Sequence, residues 1–104
     1  MFQACPLSEL PPGESVRIEA HVPIAVFNVD GDLYAIDDTC SHQDASLSEG
    51  WVEDCRVECP LHAAAFDLRT GLPCGLPAKR PVQTYPVAVA DGMIYVETEA
   101  QEVA

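Results

Sequence analysis

Apolar and polar residues alternate with a period of two at several places along the chain, the pattern of half-buried strands. Ser15-Val16-Arg17-Ile18-Glu19 has an apolar side chain at every second position. Ala25-Val26-Phe27-Asn28-Val29 is a nearly continuous apolar run that meets Asp30-Gly31 and resumes as Leu33-Tyr34-Ala35-Ile36. An Asp-Gly pair between two such runs predicts a hairpin, because these residues tolerate the positive φ that a two-residue turn demands. Asp91-Gly92 repeats the signal between Val87-Ala88-Val89 and Met93-Ile94-Tyr95-Val96. From Asp37 to Gly75 the periods are shorter, with Val52, Cys55 to Cys59 and Phe66 to Leu68 as strand candidates and Thr70-Gly71 as a turn. No segment has the 3.6-residue period over a convincing length. The nine prolines, several at strand edges, suit stiff loops around β structure better than a helical bundle. The expectation is one all-β domain, a small antiparallel barrel or sandwich without repeats or linkers.

A chain of 104 residues has room for one core and one site, and 48% hydrophobic residues make it globular. Seventeen acidic against five basic residues give a formal charge of −12, which repels nucleic acid and anionic membrane surfaces. The same charge steers the protein toward basic patches on other proteins, beside its plainer role in solubility. The longest apolar run, Val22 to Phe27, includes Pro23 and is far short of the roughly 20 residues that span a bilayer. No basic-then-apolar leader is legible at the N-terminus, so a cytoplasmic protein is expected. Five cysteines, an odd number with two set beside histidines, favour a reducing compartment and metal ligation over a disulfide scaffold.

Those two cysteines carry the chemistry. The chain reads Cys40-Ser41-His42 and, after sixteen intervening residues, Cys59-Pro60-Leu61-His62, so two short loops each offer one thiolate and one imidazole. Such ligands suit iron–sulfur clusters, zinc or copper, and ligand type alone leaves the metal open. Zinc fingers usually pair like ligands within a loop, whereas each loop here mixes the two kinds.

Here the sequence resembles the Rieske family, whose pattern is Cys-x-His in one loop and Cys-x-x-His in a second roughly 15 to 20 residues on, with both histidines on one iron and both cysteines on the other. The resemblance implies one [2Fe–2S] cluster held by Cys40, His42, Cys59 and His62. It also implies a cluster-binding subdomain, about residues 38–80, set into a basal part, about 1–37 and 81–104, with Leu76-Pro77-Ala78 as a third, shielding loop. Gln43-Asp44, Leu47-Ser48-Glu49-Gly50 and Arg69-Thr70-Gly71 are similar to the ferredoxins of bacterial aromatic-ring dioxygenase systems. Such a ferredoxin is a component and not a catalyst by itself. It takes electrons from a flavin-containing NAD(P)H-dependent reductase and passes them singly to a Rieske non-haem iron terminal oxygenase, and a carrier with two partners is expected to be a monomer. A monooxygenase or another oxidase is the alternative recipient. A structural zinc module or an iron–sulfur redox sensor is the alternative from a different class, but no DNA-binding or effector segment accompanies the four residues.

Replacing two thiolates by neutral imidazoles removes two negative charges, so an added electron costs less than in an all-cysteine cluster. High-potential Rieske proteins add a disulfide between the two loops, where Ala45 and Leu61 stand here. They also have a serine and a tyrosine that hydrogen-bond the cluster sulfurs, where this chain has Ala64 and Phe66. A potential near the bottom of the Rieske range follows, about −150 mV.

The other candidates are expected to be structural. Cys5, Cys55 and Cys74 read as packed core residues, although Cys40, Cys55, Cys59 and Cys74 together would offer an all-thiolate set. His21 reads as an exposed bystander and Trp51 as an aromatic packed against the cluster loops, with docking as its second use. Pro60-Leu61 and Ala63-Ala64-Ala65 would form an apolar docking collar around the histidine edges.

Overall fold

Both Asp-Gly pairs turn hairpins, with Asp30 at φ 54° and Gly31 at 98°, and Asp91 at 53° and Gly92 at 75°. Positive φ at both central residues is the type I′ geometry, whose twist matches that of the flanking strands. The computed structural model describes residues 2–40, 45–60, 65–74 and 81–98. The strands are β1 (Phe2–Pro6), β2 (Ser15–Glu19), β3 (Pro23–Val29), β4 (Asp32–Asp37), β5 (Trp51–Glu53), β6 (Arg56–Glu58), β7 (Ala65–Asp67), β8 (Thr84–Tyr85), β9 (Val87–Ala90) and β10 (Met93–Val96). They pair antiparallel in three sheets, ordered β1-β10-β9, β2-β3-β4-β8 and β5-β6-β7. Helix among the described residues is limited to single 3₁₀ turns at Leu7–Glu9 and Leu47–Glu49. No helix among them is long and apolar enough to cross a membrane.

The apolar run of β3 has a simple cause: its five residues Ile24–Asn28 are all buried, because both faces of the strand are covered. Ile24 and Val26 point into one core with Leu10, Ile18, Ala35, Tyr85, Ile94 and Val96. Ala25 and Phe27 point into the other, with Ile36, Leu47, Val57, Phe66, Leu68 and Val82. The side-chain period of two thus makes β3 a wall between two cores, and Cys40 and Cys59 lie in the second. Each large aliphatic or aromatic side chain buried this way stabilises the fold by about 1.5–3 kcal/mol.

The structure departs from the sequence pattern in places. β1 carries no clean alternation; it forms because β10 offers an edge, pairing Phe2 with Val96 and Gln3 with Tyr95 before the register shifts toward Pro6. Cys55 does not begin a strand. It shares a third two-residue turn with Asp54, at φ 59° and 55°, and β6 starts at Arg56. The pairing of Glu53 with Arg56 leaves only two residues to close that hairpin, which forces Cys55 into a left-handed conformation costing about 1–3 kcal/mol. His21 is exposed as expected, and its ring meets the edge of Tyr85 at 6.1 Å.

Candidate metal centre

Cys40 follows β4 and Cys59 follows β6 directly, and they are 4% and 0% exposed. None of the five cysteines is in a disulfide. The structure brings these two thiols into one apolar core from separate loops, while His42, His62 and the expected shielding loop Leu76-Pro77-Ala78 lie outside the described residues. So do Leu61, Ala63 and Ala64 of the expected docking collar. Among the described residues no three His, Cys, Asp or Glu side chains stand together as a metal site.

The segment after Cys40 is anchored by Asp38, a carboxylate only 1% exposed. Its Oδ1 accepts the Ser48 N–H at 2.8 Å, its Oδ2 accepts the Ser46 hydroxyl at 2.5 Å, and its backbone carbonyl accepts the Leu47 N–H at 2.6 Å. Arg17 Nη1 stands 3.6 Å from Oδ2, and the Asp38 N–H reaches Pro23 O at 3.0 Å. With the Cys40 N–H donated to Ala45 O at 3.0 Å and a bridge between Thr39 and Ser46, the two ends of the first loop are tied together. Removing the carboxylate leaves the part-buried Ser48 N–H without its acceptor. Asp38→Ala is therefore expected to cost about 1–3 kcal/mol and to release iron faster from the purified protein, measured by denaturant melts and by timed chelation. Unchanged release would show that the first loop holds itself.

On the opposite side, the adjacent Asp37 accepts the Tyr85 hydroxyl at 2.6 Å and the Gln83 N–H at 3.2 Å, tying β8 to the end of β4. Burial, and then this carboxylate, push the Tyr85 phenol well above its ordinary range.

The second loop is placed by close backbone contact. A Cβ built on Gly50 would stand 2.0 Å from Glu58 O and 3.2 Å from Val57 Cγ2, so only glycine lets the end of the first loop lie against the residue before Cys59. Further on, Asp67 holds Arg69, which keeps its carboxyl below the usual range. Gly71, at φ 78°, donates to Asp67 O at 2.7 Å and accepts the Val82 N–H at 2.9 Å. The motifs around Gly50 and Gly71 are thus structural hinges of the site, and Asp38 is the member that sequence reading missed. Its signal was local: an aspartate two residues before a candidate ligand cysteine, followed by Ser46 and Ser48.

Cys55 and Cys59 sit at opposite ends of β6, about 13 Å apart along an extended chain. Metal–thiolate bonds of about 2.3 Å do not bridge that gap, so the all-thiolate set is set aside. Cys55 is half-buried against the cysteine-bearing core, and its thiol next to Tyr34 raises that phenol's pKa. Cys5 packs partly against the other core, where burial raises its thiol pKa. Cys74 is exposed, which corrects its reading as a core residue. Trp51 is 54% exposed and not packed inside: it pairs across the hairpin with the exposed Glu58, while the buried residue of β6 is Val57, opposite Val52.

Two buried, unbridged thiols delivered by adjoining loops into a dry core fit thiolate ligation of a cluster, and the fold around them defines a small all-β iron–sulfur protein. The chain belongs to the Rieske [2Fe–2S] domain family, whose sequence model matches residues 1–86, and it binds one such cluster. It is 54% identical over 100 residues to the 3-phenylpropionate/cinnamic acid dioxygenase ferredoxin subunit of Escherichia coli strain K12, with 94% of each chain covered. Among solved structures, the ferredoxin of carbazole 1,9a-dioxygenase from Nocardioides aromaticivorans IC177 matches at TM-score 0.87 and 33% identity, covering 95% of this chain and 100% of that one. A chain in a complex of reduced oxygenase and oxidised ferredoxin of carbazole 1,9a-dioxygenase matches at 0.87 and 38%, covering 92% and 91%.

Proposed function

We propose that this protein is the ferredoxin component of an aromatic-ring dioxygenase system, taking electrons from a flavin-containing NAD(P)H-dependent reductase and delivering them one at a time to a Rieske non-haem iron terminal oxygenase. The observation that carries the reading is the pair of buried thiols, Cys40 and Cys59, in one core and not joined in a disulfide, together with the likeness to dioxygenase ferredoxins. In this reading Cys40 and Cys59 hold the inner iron, and His42 and His62 the outer one. The bound cluster supplies reversible one-electron transfer. The chain's own residues exclude water around the thiolates, hold the two loops together through Asp38 and Gly50, and present a net charge of −12 that speeds encounters with basic partner surfaces. The division into a basal part, about 1–37 and 81–104, and a cluster-binding part, about 38–80, is supported by β5, β6 and β7 pairing only with one another. A cytoplasmic, monomeric carrier agrees with five cysteines that form no disulfide, as a reducing compartment keeps them.

Phe66 is fully buried in the same core as Cys40 and Cys59 and has no hydroxyl to give a sulfur. A midpoint potential near about −150 mV is therefore expected, and Phe66→Tyr is expected to raise it, because a hydrogen bond to sulfur favours the more negative, reduced state. Protein-film voltammetry on both proteins decides this, and a wild-type value above zero would refute it. The function itself is tested by absorption, low-temperature EPR and metal counting, followed by single-turnover reduction of an oxygenase. Two irons, a red-brown colour that bleaches with dithionite and electron delivery to the oxygenase are expected. A colourless protein with one zinc would overturn the reading.

A further inference from the structure

We propose that the outer face of the β5–β6 hairpin, centred on Trp51, docks a basic surface of the oxygenase, seating an arginine side chain over the indole. The proposal rests on the electron-carrier reading above and adds a contact surface outside the apolar collar next to the histidines.

The indole is 54% exposed, the only tryptophan of a chain with 17 acidic and 5 basic residues, and the adjoining Val52 is 40% exposed. A groove of about 410 Å³ runs between β5, the end of β3 and the Gly13–Ser15 segment, with Trp51 and Val52 in its lining and the carboxylates of Glu14, Asp30, Glu53 and Asp54 around it. A second hollow, about 210 Å³, shares Trp51, Glu53 and Asp54 and adds Glu58 and Arg56. The Asp and Glu residues named are all exposed. Arg56, the basic residue among these linings, stands 4.0 Å from Asp54, which offsets part of its charge.

An apolar ring edged by carboxylates is complementary to a guanidinium: the ring face attracts the cation, and the carboxylates accept its hydrogen bonds in a planar fork. Exposed aromatics paired with arginine are typical anchors of protein interfaces. A second copy of this chain is the poorer occupant, since a two-fold contact here would set these carboxylates against themselves. The position suits electron delivery. Trp51 pairs across the strands with Glu58, the residue before Cys59, so the indole stands on a backbone one strand spacing, about 5 Å, from the segment that leads into Cys59. The contact is expected to be small, under about 1,200 Å², and sensitive to salt.

The test measures the Kd of holo-protein for the oxygenase component of Escherichia coli 3-phenylpropionate/cinnamic acid dioxygenase at low and high ionic strength, after absorption spectra confirm an intact cluster in every variant. Trp51→Ala is expected to weaken binding about tenfold, while Trp51→Phe, which keeps a ring face, stays within about twofold. The double variant Glu53→Lys with Asp54→Lys is expected to weaken binding about tenfold at low salt and to flatten the salt dependence. Wild-type Kd values and salt slopes in Trp51→Ala and the double variant overturn the proposal. So does a wild-type dimer in sedimentation that Trp51→Ala dissociates, which assigns the face to a second copy. Absence of binding and of electron transfer with the wild-type protein overturns the carrier reading and the docking face together. Normal transfer with unaffected variants overturns the docking face alone.

Discussion

Cys59→Ser is expected to abolish the visible absorption of the protein and its bound iron, with Cys40→Ser behaving alike. A serine hydroxyl stays protonated at neutral pH and is a poor ligand for iron, whereas a thiolate forms at accessible pH and is soft. Among the described residues the site also offers no replacement donor. Cys55 lies at the far end of β6, and no cluster of donors stands among the described residues. A hydroxyl at the fully buried Cys59 position further costs about 1–3 kcal/mol if it stays unpaired. Cys55→Ser and Cys74→Ser are expected to keep two irons each, because one residue sits in a hairpin turn and the other on the surface. Iron counts, absorption spectra and circular dichroism on the four variants separate ligand loss from unfolding. Retention of two irons by Cys59→Ser would remove the proposed ligand set.

Gly50→Ala is expected to have nearly as large an effect without touching a ligand. The added methyl would stand 2.0 Å from Glu58 O, a backbone atom of the strand that ends at Cys59, so no side-chain rotation can relieve the clash. Either the β5–β6 hairpin or the 3₁₀ turn at Leu47–Glu49 must move away. Overpacking against a rigid backbone costs about 3 kcal/mol or more, a large share of the roughly 5–15 kcal/mol that stabilises a domain. The displaced part is the contact that sets Cys59 near the first loop, so cluster occupancy is expected to fall along with the melting temperature. Gly31→Ala is a fitting control: a Cβ there meets nothing within 4 Å, and only the cost of its positive φ remains. Equal stability and iron content in Gly50→Ala and Gly31→Ala would show that the close approach is unimportant.

Local chemistry made much of this legible. Asp30-Gly31 and Asp91-Gly92 announce their hairpins because a tight turn is decided by the conformations of two residues. The alternation in Ser15–Glu19 reports a strand because successive side chains face opposite sides of it. The two Cys/His pairs announce a metal because ligand spacing within a loop is a local quantity.

Features that depend on what lies across space were not legible in the same way. β1 exists because β10 leaves an edge, and Phe2–Pro6 has no pattern of its own to show it. The short β5–β6 hairpin puts Cys55 in a left-handed turn although its neighbours read as strand. Trp51 is apolar and next to a glycine, which suggests packing, yet it pairs with the exposed Glu58 and the indole is left outside. Asp38 resembles any loop acid until Ser46 and Ser48 are seen to donate to it.

The sequence by itself determined the all-β class and the positions of the two Asp-Gly hairpins and named Cys40, His42, Cys59 and His62 as candidate donors, since each follows from residues within a few positions of one another. Only the tertiary structure decided that Cys40 and Cys59 share one dry core, that Gly50 must lack a side chain, and that Trp51 faces solvent among carboxylates. Those outcomes depend on which surfaces meet, and burial and close contact arise between segments far apart in the chain.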